Sequence, residues 1–151
     1  MPVAGVETWL GHLSVHETDG AITQIHWNAP ASQDKTPLLE EACRQVSAYF
    51  DGRLQAFDLP LAPKGSELHQ AVFRAMLAIP YGKTRTYGDL ATELGTYGQP
   101  IGQACAANPI PIVIPCHRIL SASGLGGYSG EGGVETKIAL LKLEGGFPFL
   151  L

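Results

Sequence analysis

The chain has 151 residues, 45% of them hydrophobic and 16% charged, and it carries a formal net charge of −4. This length and apolar content suffice for one ordinary domain or two small ones with a buried core, and they argue against disorder. No apolar run approaches the roughly twenty residues of a membrane span, and no basic segment followed by an apolar one opens the chain, so a cytoplasmic protein is expected.

The cysteines and histidines indicate neither a disulfide framework nor a metal site. Three cysteines, Cys43, Cys105 and Cys116, are an odd number at wide spacings, so free thiols are expected. The five histidines share no finger-like spacing with them. We therefore expect no metal and no other cofactor.

Charge is divided unevenly along the chain. Residues 1–63 hold three basic and eight acidic side chains, whereas residues 64–151 hold seven basic and six acidic ones. The second part is the less anionic of the two, but it lacks a strongly basic run. Any binding to nucleic acid should therefore depend on neutral side chains and backbone groups.

The N-terminal part has the pattern of an antiparallel sheet covered by a helix. Residues 8–15 and 21–27 are rich in β-forming residues and flank Thr18-Asp19-Gly20, a good hairpin turn. Thr36 can cap a helix that has Pro37 at its first position and apolar residues at helical spacing up to Gly52. The histidines of this part are expected to be surface or structural residues: His12, His16 and His26.

A connector rich in proline and glycine, residues 54–65, predicts a boundary between an N-terminal domain, 1–63, and a C-terminal domain, 64–151. Ser66 then caps an amphipathic helix that stops at Pro80. The connector thus separates an α/β part from a mostly helical part.

Two short helices joined by a glycine-containing turn form a helix-turn-helix candidate. Thr86 and Asp89 have the capping-box spacing and open the first helix, which runs through Leu94. The second begins near Gln99-Pro100 and ends about Ala107. Small, uncharged residues make it slim, so it either approaches the narrow minor groove of DNA or packs closely against another helix.

The run from Ile110 to Arg118 contains two prolines and follows Asn108-Pro109, so it cannot be helical. It predicts a buried extended segment that ends at Cys116, with His117 and Arg118 directly after it. A thiol beside an imidazole and a guanidinium is a candidate nucleophile, although a buried cysteine can also be simple core packing. Because neighbouring residues on a straight strand point to opposite faces, Cys116 and His117 can act together only if the chain turns there.

The C-terminal segment combines a loop with a helix. Residues 121–133 are rich in glycine and serine around Tyr128 and predict a mobile loop able to close over a pocket. Val134, Ile138 and Leu141 then mark the apolar face of a helix. Glu144 should lie in the last turn of this helix, where the helix dipole opposes a carboxylate, so we expect it to serve a role elsewhere.

Several ordered motifs in residues 80–90 and 108–144 together resemble the O6-alkylguanine-DNA alkyltransferases, the suicide DNA-repair proteins. The signature is Pro115-Cys116-His117-Arg118 after Asn108-Pro109, and the supporting pieces are Ile79-Pro80-Tyr81-Gly82, Tyr87-Gly88, Gly127-Tyr128-Ser129-Gly130 and Lys137. The resemblance implies a two-part α/β (α+β) protein. Its N-terminal part would be RNase H-like, a small antiparallel sheet with a helix, and its C-terminal part a mostly helical, winged helix-turn-helix-like domain.

The resemblance also implies catalytic roles. Glu144 would orient His117, which would deprotonate Cys116 through a water. Asn108 would brace the turn at the cysteine. Tyr87 would press on the phosphate and donate toward the base N3, with Lys137 supporting it.

The implied substrate is alkylated DNA whose damaged base is rotated out of the duplex. Tyr128 would flank the alkyl group and the Ser129 amide would bond O6, with Arg118 and Gly130 completing the substrate contacts. The implied DNA contacts, in the minor groove, are Gln99, Gly102, Ala106 and Tyr87. We expect a monomer that has no membrane partner.

Gln99 departs from the family pattern. The family typically has an arginine finger seventeen residues before the cysteine, and here that position is Gln99. Glutamine is shorter and uncharged, so base flipping or the preferred DNA form could differ. The leading hypothesis is single-turnover alkyl transfer to Cys116; a non-enzymatic lesion-binding protein is the alternative. A cysteine hydrolase is disfavoured because no oxyanion-hole motif is recognisable.

Overall fold

The structure is a computed structural model that describes residues 2–28, 32–128 and 132–145. The chain divides into two compact units, Met1–Lys64 and Gly65–Leu151. Among the described residues, no helix has the length and apolar character needed to cross a membrane.

The N-terminal unit begins with three antiparallel strands, β1 (Val3–Thr8), β2 (Gly11–Thr18) and β3 (Ala21–Trp27), in the order β1-β2-β3. The predicted turn between β2 and β3 is confirmed: Asp19 and Gly20 have φ values of 51° and 78°, as a type I′ turn requires. The prediction of one strand over residues 8–15 was wrong. Thr8 ends β1, the chain turns at Trp9 and Leu10, and β2 begins at Gly11. Strand β1 was not predicted because its Ala4 and Gly5 give a weak β signal.

Helix α1 (Pro37–Phe50) packs on β1 and β2, as predicted. Thr36 accepts a hydrogen bond from the Leu39 amide, and Pro37 occupies the first turn. The core of this unit is apolar and includes Leu13, Val15, Ile22, Ile25, Leu39, Val46 and Tyr49. The predicted connector is fastened to β3, because the Ile22 amide donates to the Pro60 carbonyl at 2.8 Å.

Three helices form the framework of the C-terminal unit: α2 (Glu67–Leu77), α3 (Tyr87–Leu94) and α4 (Gly98–Ala106). Ser66 caps α2, and Thr86 with Asp89 forms the predicted capping box of α3. The three helices pack against one another. Their buried residues include Val72, Phe73, Met76, Leu90 and Ile101. The short strand β4 (Arg85–Thr86) pairs in parallel with β5 (Ile119–Leu120).

The segment before Cys116 is buried as predicted, but the prediction that it is extended was wrong. The Ile114 amide donates to the Ile110 carbonyl at 2.9 Å, which closes a tight loop. Ile112 has a positive φ of 75°, in the left-handed region that glycine usually occupies. Because an isoleucine stands there, this turn could not be predicted from the sequence. The loop leads into a single 3-10 turn, Cys116–Arg118, called the Cys116 turn below. The predicted change of direction at Cys116 is therefore confirmed.

Helix α5 (Val134–Leu143) packs against the Cys116 turn. The predicted apolar face is confirmed only in part: Leu141 is fully buried, but Ile138 is half-buried and Val134 is 40% exposed. Lys137 and Leu140 are also fully buried. A buried lysine breaks the apolar pattern from which the face was predicted. Glu144 lies one residue past the last helical residue instead of within the last turn. The predicted mobile loop includes residues 129–131, which lie outside the described residues.

Candidate active site

A cavity of about 290 Å³ opens beside the Cys116 turn and is called the Cys116 cavity below. It is formed by the start of α3, one side of α4, the Cys116 turn and the loop after β5. Its lining consists of Tyr87, Gly102, Cys105, Ala106, Cys116, Gly127 and Tyr128. The thiol of Cys116 is almost completely buried and faces this cavity.

Three buried side chains, His117, Glu144 and Arg118, are joined by hydrogen bonds beside the Cys116 turn. His117 Nε2 lies 2.8 Å from Glu144 Oε2, and neither side chain is exposed. Arg118 donates from Nε to Glu144 Oε1 at 2.8 Å and from Nη2 to Oε2 at 3.0 Å. The carboxylate is therefore held by two partners, and one of its oxygens is shared between the imidazole and the guanidinium.

The imidazole of His117 has one nitrogen left for chemistry. Its Nδ1 is buried and has no protein partner among the described residues. Burial lowers the pKa of His117 below its usual 6.5, and the hydrogen bond and charge of Glu144 oppose that shift. His117 is therefore neutral at pH 7, with Glu144 holding Nε2, so that Nδ1 can accept a proton.

The surroundings of Cys116 both hinder and help its ionisation. Burial raises the pKa of the Cys116 thiol, whereas a hydrogen bond from Asn108 and the charge of Lys137 act to lower it. Asn108 also donates from Nδ2 to the Ile114 carbonyl at 2.8 Å and accepts from the Ile110 amide at 3.0 Å. Asn108 thus ties together both ends of the loop that leads to Cys116. The thiol needs a base to become a nucleophile.

Tyr87 and Lys137 form one wall of the site. Burial, followed by the nearby thiols, raises the pKa of Tyr87 to about 12, so its hydroxyl keeps its proton and can donate. Lys137 donates from Nζ to the Ile119 carbonyl at 2.6 Å and to the Gly127 carbonyl at 3.0 Å. The same Nζ lies 5.9 Å from the centroid of the Tyr87 ring. Burial lowers the pKa of Lys137 to about 8, so the ammonium form still dominates at pH 7.

The remaining predicted site residues are distributed differently. Tyr128 lines the cavity with a buried hydroxyl that has no protein partner among the described residues, and burial raises its pKa well above 10. Arg118 does not line the cavity; it donates to Glu144 and, at 2.7 Å, to the Ile79 carbonyl. Gln99 is exposed in the first turn of α4 and does not line the cavity either. Ser129 and Gly130 lie outside the described residues.

Sequence reasoning missed two contributors to this site. Cys105 lines the cavity beside Ala106, and its position three residues after Gly102, on the same side of α4, is the signal that could have found it. Tyr81 donates from its hydroxyl to the Leu143 carbonyl at 3.1 Å, next to Glu144. Its ring centroid lies 5.9 Å from Arg118 Cζ. Tyr81 therefore fastens the end of α5 that carries the carboxylate.

The geometry defines a class of protein. A buried thiol faces a cavity, the next residue of the same turn is a neutral imidazole paired with a carboxylate, and a helix-turn-helix pair forms one side. The described residues contain no group of three or more histidine, cysteine or acidic side chains arranged for a metal ion. Such an arrangement has the groups that a cysteine nucleophile and a histidine base require.

Comparisons with known proteins identify the family. Residues 67–146 match the family described as "6-O-methylguanine DNA methyltransferase, DNA binding domain", and residues 4–63 match its "ribonuclease-like domain". The methylated-DNA–protein-cysteine methyltransferase of Methanosarcina acetivorans is 48% identical over 72% of this chain and 70% of its own length. The protein of the same name from Mycobacterium bovis is 39% identical over 95% of this chain and 85% of its own length.

The fold agrees with these matches. The crystal structure of Mycobacterium tuberculosis OGT in complex with DNA superimposes with a TM-score of 0.85 at 36% identity, covering 96% of this chain and 93% of that one. The chain belongs to the 6-O-methylguanine DNA methyltransferase family, the family that the sequence motifs predicted.

Proposed function

We propose that this protein repairs DNA by moving an alkyl group from O6 of a guanine to its own Cys116, once per molecule. The observation that carries the proposal is the Cys116 thiol facing a cavity, with the buried His117–Glu144 pair on the next residue of the same turn. The names of the relatives describe the same chemistry, transfer from methylated DNA to a protein cysteine.

The reaction starts with a proton transfer. Glu144 fixes the imidazole through Nε2, and His117 Nδ1 takes the proton of Cys116 through a bridging water. The hydrogen bond from Asn108 and the charge of Lys137 stabilise the thiolate that forms, because both act to lower the pKa of Cys116. This relay overcomes the rise in thiol pKa that burial causes.

The thiolate then attacks the alkyl carbon. A sulfur–carbon bond forms as the carbon–O6 bond breaks, and the electron pair stays on the guanine. Tyr87 keeps its proton at neutral pH and donates a hydrogen bond toward N3 of the departing base. The net reaction moves one proton from sulfur to guanine, and the thioether that remains is stable, so each molecule acts once.

Arg118 serves as a positioning residue in this proposal, in place of the substrate contact that the sequence suggested. Its guanidinium is fully engaged by Glu144 and the Ile79 carbonyl, away from the cavity. By pairing with both carboxylate oxygens it keeps Glu144 ionised and aimed at His117.

The base must leave the duplex to reach Cys116, at a cost of a few kcal/mol. Tyr128 would flank the alkyl group, while the Ser129 amide and Gly130 remain proposed contacts of O6. Gln99 and the slim face of α4, Gly102 and Ala106, would meet the minor groove. The small size of Gly102 and Ala106 lets DNA approach the cavity closely.

The non-enzymatic alternative is not favoured, because the relatives are named as methyltransferases and Cys116 stands in place with a base beside it. We further propose that the protein acts as a monomer, that its domains are residues 1–63 and 64–151, and that it works in the cytoplasm. A reducing compartment would keep the free cysteines Cys43, Cys105 and Cys116 as thiols.

The test is covalent. The protein is incubated with a duplex that contains O6-methylguanine or with O6-benzylguanine, and peptides are examined by mass spectrometry. We expect one methyl or benzyl group per molecule, on the Cys116 peptide. Cys116→Ala should abolish labelling and Cys105→Ala, the matched thiol control, should retain it. Clear DNA binding with an unchanged mass would reject the proposal, and Gln99→Arg would show whether position 99 limits the reaction with duplex DNA.

A further inference from the structure

Tyr97 is the most exposed of the large hydrophobic side chains that the structure describes. Its side chain is 67% exposed, compared with 56% for Trp9 and 46% for Leu77. Single exposed apolar residues are common on protein surfaces and need no explanation. The position of Tyr97, however, ties it to the reaction of the proposed function, on which this inference rests.

The turn that carries Tyr97 is held by its own backbone. Gly95 ends α3 with a left-handed φ of 69°, and the Thr96 amide donates back to the Ala91 carbonyl at 2.9 Å. Tyr97 follows in an extended conformation as the N-cap of α4, and its side chain makes no capping hydrogen bond. The ring is therefore presented to solvent from a defined place, between the two helices of the helix-turn-helix pair.

The same helix leads from Tyr97 to the Cys116 cavity. Gly102 and Ala106 of α4 line that cavity, five and nine residues after Tyr97. At a rise of 1.5 Å per residue, the ring starts roughly 7–14 Å from them along the helix axis. Stacked nucleotides of one strand are about 3.4 Å apart, so this distance corresponds to roughly two to four nucleotides.

Helix α4 offers DNA no charge. No residue between Gly98 and Ala106 is acidic or basic, and the polar side chains are the two glutamines Gln99 and Gln103. Ion pairs with phosphate therefore cannot supply the binding energy along this helix. An aromatic ring can supply binding energy, because every base has a face on which the ring can stack. Apolar side chains inserted between base steps also hold a duplex open.

We propose that Tyr97 stacks on the bases of duplex DNA a few nucleotides from the flipped guanine and stabilises the opened duplex over the Cys116 cavity. It is a positioning residue, since it touches neither the alkyl group nor the thiol. Its contribution belongs to duplex substrates and is absent with a free base, which enters the cavity without any duplex to open.

The experiment compares two substrates across a small set of variants. Single-turnover rates of Cys116 alkylation are measured with an O6-methylguanine duplex and with free O6-benzylguanine. Tyr97→Ala should slow the duplex reaction about tenfold or more, the scale expected for loss of a base–aromatic stack, and leave the free-base rate unchanged. Tyr97→Phe and Tyr97→Trp should retain the duplex rate. Trp9→Ala, an exposed aromatic in the other unit, is the matched control and should behave as wild type.

Three kinetic results would overturn the assignment: an unchanged duplex rate for Tyr97→Ala, an equal loss with the free base, or a loss for Tyr97→Phe as large as that for Tyr97→Ala. A second measurement does not depend on alkylation. It compares the affinity for duplex DNA of the Cys116→Ala protein with that of the Cys116→Ala/Tyr97→Ala protein. Equal affinities of the two proteins for the duplex would reject the role of Tyr97. Failure of the wild-type protein to form a thioether would instead count against the proposed function, and the affinity comparison would still test Tyr97. A change in self-association alone would likewise assign the ring to a contact between copies and reject the DNA contact.

Discussion

Within its described residues the chain has two histidine–glutamate pairs with similar N–O distances and different surroundings. His12 Nδ1 lies 2.6 Å from Glu7 Oε1 on the sheet of the N-terminal unit, where the two side chains are 31% and 78% exposed. His117 Nε2 lies 2.8 Å from Glu144 Oε2, and both side chains are wholly buried. Distance alone does not distinguish the pair that can perform catalysis.

Water makes the difference between them. Around His12 and Glu7 it screens the charges and exchanges protons freely, so such a pair contributes little. Around His117 and Glu144 bulk water is excluded, so the buried carboxylate requires a permanent cation, and Arg118 supplies it through two hydrogen bonds. The buried pair can then hold a proton at one defined nitrogen, which the exposed pair cannot.

The largest expected effect separates the two carboxylates. Glu144→Gln should slow Cys116 alkylation by about a hundredfold or more, because His117 loses the charge that stabilises its protonated form. Glu7→Gln should leave the rate unchanged. Single-turnover labelling with O6-benzylguanine measures both. Because Glu144→Gln leaves the buried charge of Arg118 without its anion, the double variant Glu144→Gln/Arg118→Met is the folding control. A normal rate in a folded double variant would contradict the relay.

The next effect concerns the cation. Arg118→Met should lower the free energy of unfolding by about 3–5 kcal/mol, because it leaves a buried carboxylate without its main partner. Arg44→Met removes a similar bidentate partner of Glu41 on the surface and should cause no measurable change. Denaturant unfolding monitored by circular dichroism reports both values. Equal losses would mean that burial does not set the strength of these pairs.

The smallest effect is a pH dependence. Because burial lowers the pKa of His117, the folded chain keeps this residue neutral below pH 6.5, where the unfolded chain binds a proton. The contribution of His117 to the free energy of unfolding is thus complete above pH 6.5 and is lost as the pH falls through the lowered pKa. The slope of this loss is at most about 1.4 kcal/mol per pH unit.

Unfolding measured between pH 7.5 and 5 should show this slope in the wild type and a weaker slope in His117→Asn. The pKa of His16 is also lowered, by burial and by His26, so the comparison is made in a His16→Gln background. His12→Gln should keep the full slope. If His117→Asn kept it as well, the protonation of His117 would not be linked to folding.

Local signals in the sequence predicted the helix starts well, because a capping side chain bonds to the backbone in the first turn of its own helix. Thr36, Ser66 and Thr86 each accept the amide three residues on, as their spacing indicated. Strand β1 was missed because its sequence alone is a poor strand, and it forms by pairing with β2. Long-range pairing of this kind leaves no local pattern.

The sequence predicted which residues form the site better than it predicted how they contact one another. The family resemblance implied that Cys116, His117 and Glu144 act together, and the structure joins His117 to Glu144 and places Cys116 at the cavity. Arg118 was assigned to the substrate contacts through the family resemblance. Its true neighbours, Glu144 and the Ile79 carbonyl, are 26 and 39 residues away in sequence, and only the fold reveals them.

The left-handed isoleucine in the loop before the nucleophile has a consequence for a molecule that reacts only once. Ile112 is β-branched and buried, so its backbone strain persists because the surrounding core and the Asn108 hydrogen bonds determine it. A catalyst with many turnovers must release its product and return its loops to the starting conformation after every cycle. A protein that is alkylated once needs no such return, so a stiff loop can hold the sulfur in one place without slowing a later cycle.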